Sequence, residues 1–192
     1  CSSELGIASL GGELPENFPV EYADVADLAR LVARDAPHQG LVLECAALED
    51  LHLDEVLDGD AARALVVLDQ VTDPHNLGAI MRSAAAFNAC AVVTQDRHAP
   101  PESGVVAKSA SGALEVVPWV RVVNLSRALE EAAEAGYWRI GLDGTAEATL
   151  ADALPAGPVV LILGAEGEGL RDNVAGHCDA LARLPIGNQM ES

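Results

Sequence analysis

Short apolar segments alternate with helix-like patterns along residues 64–192. The apolar segments are ALVVLD, ACAVVTQ, EVVPWVRV, YWRIGLD, PVVLILG and ALARLPI, in chain order. Most are separated by stretches in which apolar residues recur at helical spacing. Strands that are apolar throughout and are joined by helices are typical of parallel sheets covered by helices on both faces. The sequence therefore predicts an α/β domain over 64–192.

Residues 1–63 have a different pattern. The segment QGLVLECA at 39–46 predicts one compact apolar strand, and residues 46–63 are acidic with interspersed leucines, as in a linker or a short helix. We interpret 1–45 as part of a small N-terminal domain and 46–63 as a linker. The chain begins with Cys1 and stops at NQMES without a capping signal, so both ends resemble cuts in a longer sequence.

The charge of the chain is strongly negative. There are 30 acidic and 11 basic residues, which gives a net charge of −19, and Lys108 is the only lysine. Neutralising phosphates requires a basic surface, so charge alone argues against non-specific nucleic-acid binding. The acidic residues concentrate at 44–60 and 130–152, which leaves room for a neutral or basic face elsewhere.

Neither a membrane segment nor a metal site is predicted. No apolar run reaches the length that spans a bilayer. The four cysteines lie far apart, with no CxxC pair and no histidine at ligand spacing; they are Cys1, Cys45, Cys90 and Cys178. This pattern predicts free thiols in a reducing cytosol, and hence a cytoplasmic protein without disulfides or zinc.

A glycine-rich turn follows one of the predicted strands, in LILGAEGEGL at 161–170. Its glycines permit positive φ angles and close approach of a ligand, and loops after parallel strands lie where ligands bind. The order G-x-x-G-x-G differs from the dinucleotide fingerprint, and Glu166 and Glu168 would repel a pyrophosphate. The turn therefore favours a ligand with a sulfonium and a ribose over a nicotinamide dinucleotide, with a plain tight turn as the alternative.

Two further segments combine turn residues with polar side chains. In VTDPHNLGAIMR at 71–82, Asn76 lies at a helix mouth and Arg82 lies among Ala, Ile and Met. Asp73 or Asn76 could cap the helix, and Arg82 could be a surface residue whose stem covers apolar neighbours. The segment LARLPIGNQMES at 181–192 is a second strand followed by a glycine turn, which is equally compatible with a surface loop.

Taken together, these three segments resemble the motifs of the SPOUT superfamily of methyltransferases, in the TrmH/SpoU branch of RNA ribose 2′-O-methyltransferases. LDQVTDPHNLGAIMRSAAAF resembles the first motif, LILGAEGEGL the second and LPIGNQMES the start of the third, in the same order and spacing. APHQGLVLECAAL, before residue 64, resembles the end of the small RNA-binding domain with a ribosomal-protein L30e fold that precedes the catalytic domain in the RlmB-like subgroup. The resemblance stops at Ser192, short of the family's final helix.

The resemblance implies a C-terminal trefoil knot, S-adenosylmethionine held in a bent conformation by the knot loops, and a homodimer whose active site draws on both subunits. The positions that match the family's catalytic residues are Asn76, Arg82, Glu166 and Ser192. The positions that match its cofactor-binding residues are Leu142, Gly164, Glu166, Gly169, Leu184 and Ile186.

The function implied is methyl transfer from S-adenosylmethionine to a ribose 2′-hydroxyl of structured RNA, with a guanosine of 23S rRNA favoured by the N-terminal segment. The alternatives are the same chemistry on tRNA and a catalytically silent RNA-binding paralogue. The resemblance also suggests that Arg82 acts as the base. A guanidinium stays protonated, however, and offers phosphate a planar fork of donors. We therefore expect Arg82 to orient phosphate and stabilise charge.

Overall fold

The computed structural model describes residues 16–32, 38–44, 46, 48, 51–58 and 63–185. Its contacts divide the chain into two units, 1–47 and 48–192. In the first unit, helix α1 (Val25–Leu31) begins after Asp24, whose side chain accepts a hydrogen bond from the Asp27 amide. The prediction of a strand over 39–46 is wrong for the residues that the structure describes there, because residues 39–44 form no strand. A strand needs a hydrogen-bonded neighbour, and no described residue pairs with this segment.

The second unit contains a short helix, α2 (Leu53–Leu57), and a six-stranded sheet. The strands are β1 (Leu65–Leu68), β2 (Ala91–Gln95), β3 (Trp119–Val122), β4 (Trp138–Leu142), β5 (Val159–Leu163) and β6 (Ala180–Ala182). Their spatial order is β3-β2-β1-β5-β4-β6, and every neighbouring pair is parallel. The predicted parallel α/β sheet is thus confirmed.

Helices cover both faces of this sheet. They are α3 (Pro74–Ala86), α4 (Gly104–Ala110), α5 (Leu125–Glu134), α6 (Leu150–Ala153) and α7 (Asp172–Ala175). Successive residues of a strand point to opposite faces. Val66 and Leu68 of β1 accordingly pack in the cluster that includes α3 and α4, and Leu65 and Val67 pack in the cluster that includes α2, α5 and α7. Strand β1 is apolar throughout because it is buried on both sides.

Helix α3 begins at Pro74, two residues before Asn76, which the sequence pattern placed at the helix mouth. Asp73 is its N-cap and accepts a 2.7 Å hydrogen bond from the His75 amide, and Pro74 occupies the first helical position. Proline is favoured there because its missing N–H would have no helical partner. Asp73 supplies the cap, so the Asn76 side chain is left for other contacts.

The loops after β1 and β5 leave the sheet in opposite directions. The chain passes from β1 to β2 on one side, and from β5 to β6, beyond β4, on the other. Such a switch point opens a crevice between the carboxyl ends of two adjacent parallel strands. The fold therefore places a crevice between β1 and β5.

Candidate functional site

A cleft of about 610 Å³ lies at this switch point. One wall comes from the β1–α3 connection and the first turns of α3, and the other from the end of β5 and the glycine turn. The lining residues are Gln70, Val71, Thr72, Asp73, Asn76, Ala79, Ile80, Leu163, Gly164, Ala165, Glu166 and Glu168. The first and second motifs, far apart in sequence, thus share one cleft.

The glycine turn is closed by a pair of backbone hydrogen bonds. The Ala165 amide donates to the Gly169 carbonyl at 3.1 Å, and the Gly169 amide donates back at 2.9 Å. Gly167 and Gly169 have φ angles of +80° and +71°, which favour glycine. A Cβ on Gly164 would overlap the Gly169 backbone. The sequence thus folds this turn back on itself and leaves Glu166 exposed at its tip.

Asn76 and Glu166 meet across the cleft. The Asn76 Nδ2 amide donates a 3.3 Å hydrogen bond to Glu166 Oε2, joining residues 90 positions apart. The bond is long and exposed, so its net stabilisation is small. It nevertheless places the two polar motif residues side by side. Asp73 and Glu168 lie in the same lining, so the cleft carries three carboxylates and suits a cationic group better than a phosphate.

Arg82 does not line this cleft. Six positions along a helix correspond to a rotation of about 240° from Asn76, so Arg82 lies on another side of α3. Its side chain is exposed and makes no hydrogen bond or ion pair with any residue that the structure describes. In a single chain, Arg82 is therefore separated from the Asn76–Glu166 pair.

The other predicted cofactor residues lie at the same edge of the sheet. Leu142 ends β4 and Leu184 follows β6, and both strands lie on the β5 side of the crevice. Leu142 is partly buried and Leu184 is 48% exposed, but neither lines the cleft next to Gly164. Ile186 and Ser192 lie outside the described residues.

The sequence reasoning missed an ion pair beside the cleft, of which the acidic partner is buried and the arginine partly exposed. Asp69 directly follows β1 and is fully buried. Its carboxylate accepts hydrogen bonds from the Arg171 backbone amide at 3.0 Å and from Arg171 Nε at 2.8 Å. Arg171 also donates to the Gln95 side-chain oxygen at 3.0 Å. The available signal was a carboxylate placed directly after a strand that is apolar on both faces.

Shifted pKa values occur away from the cleft, around β4 and β6. A side-chain hydrogen bond from Arg139 lowers the pKa of Asp179, and burial raises the pKa of the Cys178 thiol to about 11. A thiol with so high a pKa stays protonated and unreactive at neutral pH. Cys178 is therefore a packing residue rather than a nucleophile.

The described residues contain neither a candidate metal site nor a helix that could span a membrane. They include no group of three or more His, Cys, Asp or Glu placed to hold a metal ion. Within the same residues, no helix has the length and apolar character needed to cross a membrane.

The fold and its site define an α/β protein with a cleft at the carboxyl edge of a parallel sheet. The sequence profile of the SpoU rRNA Methylase family matches residues 63–192, most of the chain. The protein belongs to the SpoU rRNA methylase family.

Curated relatives are similar over most of the chain. The 23S rRNA (guanosine-2′-O-)-methyltransferase RlmB of Ralstonia nicotianae is 45% identical over 171 residues, covering 87% of this chain and 69% of that protein. The RlmB of Pseudomonas putida is 42% identical over 178 residues, covering 91% and 71%. This chain therefore spans about 70% of the length of these two relatives.

Solved structures of the family share the fold. The SpoU methyltransferase AviRb from Streptomyces viridochromogenes, in complex with the cofactor AdoMet, has a TM-score of 0.67 and 25% identity over 76% of this chain and 59% of that one. An AdoMet-bound rRNA methyltransferase from Sinorhizobium meliloti has a TM-score of 0.67 and 26% identity, over 75% and 55%. The chain thus spans a little over half the length of these two proteins.

Proposed function

We propose that this protein transfers a methyl group from S-adenosylmethionine to a ribose 2′-hydroxyl in RNA, with a guanosine of 23S rRNA as the favoured target. The observation that carries the proposal is the Asn76–Glu166 hydrogen bond, which joins two family motifs across the switch-point cleft. The curated relatives, named as 23S rRNA guanosine methyltransferases, favour this RNA over tRNA. An enzyme acting on 23S rRNA would work in the cytoplasm.

The residues present suit S-adenosylmethionine. When bound, it supplies an electrophilic methyl group on a sulfonium. The carboxylates of Glu166 and Glu168 favour a cation in the cleft, and the glycine turn permits close approach of a ligand to the backbone. We assign cofactor contacts to Leu142, Gly164, Glu166, Gly169, Leu184 and Ile186, as the family motifs suggest.

The polar residues divide the remaining work. Asn76 holds one carboxylate oxygen of Glu166 and leaves the other available as an acceptor toward the cleft. Arg82 orients an RNA phosphate and stabilises negative charge that develops at the reacting oxygen. Ser192 completes the catalytic set that the third motif suggests.

RNA approaches the layer formed by α3 and α4, because this layer differs in charge from the rest of the chain. Neither helix contains an acidic residue, and they carry Arg82 and Lys108, whereas α5 carries Glu130, Glu131 and Glu134. The side chains of Arg82 and Lys108 make no ion pair with any described residue. Arg127 on α5, by contrast, is paired with Glu131 at 2.9 Å.

The resemblance also carries three structural proposals. The C-terminal segment forms a trefoil knot, two chains assemble as a homodimer, and residues 1–45 are part of an L30e-like RNA-binding domain joined by a linker at 46–63 to the methyltransferase domain at 64–192. Support comes from the family match over 63–192 and from the sequence motifs.

Methyl transfer is tested directly with labelled S-adenosylmethionine and a 23S rRNA fragment, beside a tRNA pool. We expect label in the rRNA, at a ribose resistant to alkaline cleavage. Label in tRNA alone would mean that tRNA, rather than 23S rRNA, is the substrate. RNA binding without methyl transfer would favour the catalytically silent paralogue. Calorimetry should detect binding of S-adenosylmethionine and none of NAD.

The RNA-facing layer is tested by the salt dependence of binding. Replacing Lys108 by Ala should reduce the slope of log Kd against log salt by about one, because one phosphate is no longer neutralised. The matched control is Arg127→Ala, which removes an arginine already paired on the opposite layer. An unchanged slope in Lys108→Ala, or an equal change in the control, contradicts the assignment.

A further inference from the structure

A chain of side-chain hydrogen bonds crosses the carboxyl edge of the sheet behind the cleft. Gln95 donates to the Val123 carbonyl at 3.1 Å and accepts from Arg171, which in turn donates to Asp69. We propose that Asp69, Arg171 and Gln95, here called the brace, are positioning residues that hold Glu166 against Asn76. The role assigned to Glu166 rests on the proposed function above.

Asp69 lies where both walls of the cleft begin. The Asp69 backbone amide donates to the Leu163 carbonyl at 2.8 Å. This hydrogen bond continues the β1–β5 pairing up to Leu163, the residue directly before Gly164. The next residue, Gln70, has a left-handed φ of +60° and turns the chain into the first wall. A shift of Asp69 would therefore move both walls.

Arg171 clamps the far end of the glycine turn. Its backbone amide and its Nε both donate to the Asp69 carboxylate, so main chain and side chain are fixed by the same group. Gln95 holds the guanidinium from β2. Residues 164–170 are therefore anchored by β5 at one end and by Asp69 at the other.

Between these anchors the turn has little freedom, because the Ala165–Gly169 pair closes it. Glu166 lies three residues from the Gly169 end of this pair, and its distance to Asn76 depends on where the pair is held. A buried ion pair is often no more stabilising than apolar side chains of the same volume. A geometric role, rather than a gain in stability, is thus the better account of a fully buried carboxylate beside the cleft.

The chain offers a matched control for the brace. In the Arg139–Asp179 pair, the backbone amide and Nε of Arg139 also donate to one aspartate, both at 2.9 Å. This pair lies near the start of β4 and directly before β6, at the opposite edge of the sheet from the cleft. Asp179→Asn therefore removes the same kind of ion pair without touching the brace.

Hydrogen exchange in the intact chain tests the positioning without relying on activity. In Asp69→Asn, amides of residues 164–170 should exchange about tenfold faster, since local opening is easier once an anchor is removed. Asp179→Asn should leave their exchange unchanged. Gln95→Ala keeps the carboxylate in place and should accelerate exchange of the same amides by a smaller factor. This variant keeps the test possible if Asp69→Asn does not fold. Equal exchange of 164–170 in the wild type and both brace variants would overturn the proposal.

A double-mutant cycle on S-adenosylmethionine affinity separates positioning from general stability. Asp69→Asn should weaken Kd by about tenfold in the wild-type background and by less than about twofold in Glu166→Gln, because coupled residues are non-additive. The same factor in both backgrounds would mean that the brace does not act through Glu166. If the wild type binds no S-adenosylmethionine, the proposed function fails. The exchange experiment would still show whether the brace positions residues 164–170.

Discussion

At the scale of single residues, Arg82 is the residue whose role depends most on its surroundings. It is exposed, and within the described chain it has no partner and lies outside the cleft. Replacement by Ala should lower single-turnover methylation by about 10²–10³, as the removal of a preorganised donor does, and leave S-adenosylmethionine binding nearly unchanged. A surface arginine without a role would cost only a few tenths of a kcal/mol in stability and no activity. Turnover near that of the wild type would mean that Arg82 is a surface arginine without a catalytic role.

Asp179 gives a pH-dependent stability test away from the site. The side-chain hydrogen bond from Arg139, with its backbone hydrogen bond, lowers the pKa of Asp179 in the folded state. A depressed folded pKa contributes stability that is present above the unfolded value of about 3.9 and is lost as pH falls through the folded value. The difference in unfolding free energy between the wild type and Asp179→Asn should therefore be largest at neutral pH and shrink below about pH 4. Urea denaturation at several pH values measures it, and a difference that stays constant with pH contradicts the assignment.

At the scale of secondary-structure elements, the contact between α3 and α4 depends on a glycine. A Cβ on Gly78 would overlap the Ser109 side chain and lie 2.8 Å from the Ala110 backbone nitrogen. Ser109 also donates to the His75 carbonyl at 3.1 Å. Gly78→Ala should destabilise the fold by about 1–3 kcal/mol, as overpacking does.

The control for this substitution lies in the neighbouring helix. Gly104 begins α4, and a Cβ there would meet no atom within 4 Å. Gly104→Ala should therefore be neutral or slightly stabilising, because it restricts the unfolded chain. Thermal unfolding measures the stability of Gly78→Ala and Gly104→Ala. Equal destabilisation of the two variants would mean that close packing of α3 against α4 is not the cause.

The alternation of strands and helices could be predicted because burial on both faces makes strands such as β1 apolar throughout. The Asn76–Glu166 contact could be expected only from the motifs, since it joins residues 90 positions apart. The Asp69–Arg171 pair was missed for the same reason. Its partners are 102 positions apart and meet only because β5 inserts between β1 and β4. The segment at 39–46 was misjudged because apolar composition does not supply a pairing partner.

At the scale of the whole molecule, the separation of Arg82 from Glu166 bears on assembly. The alanines of α3 differ in their surroundings: Ala84 packs in the chain's own core and Ala79 lines the cleft, whereas Ala86 is exposed. Phe87, directly after α3, is 87% exposed and continues this surface. We expect a dimer at micromolar concentration by light scattering, with this end of α3 at the interface. Phe87→Glu should yield monomers, whereas Val123→Glu, at another exposed apolar residue, should not.

A dimer formed in this way could bring Arg82 of one chain to the Glu166 of the other, and mixing inactive variants tests this. If each site combines Arg82 from one chain with Glu166 from its partner, a heterodimer of Arg82→Ala and Glu166→Gln retains one intact site of two. Random reassociation of equal amounts makes about half of the dimers mixed, so activity should recover to about a quarter of that of the wild type. Sites built within one chain would each retain a defect, and the mixture would stay inactive. Wild-type protein carried through the same dissociation and reassociation fixes the reference, so an inactive mixture beside an active reference would assign both residues to a site within one chain.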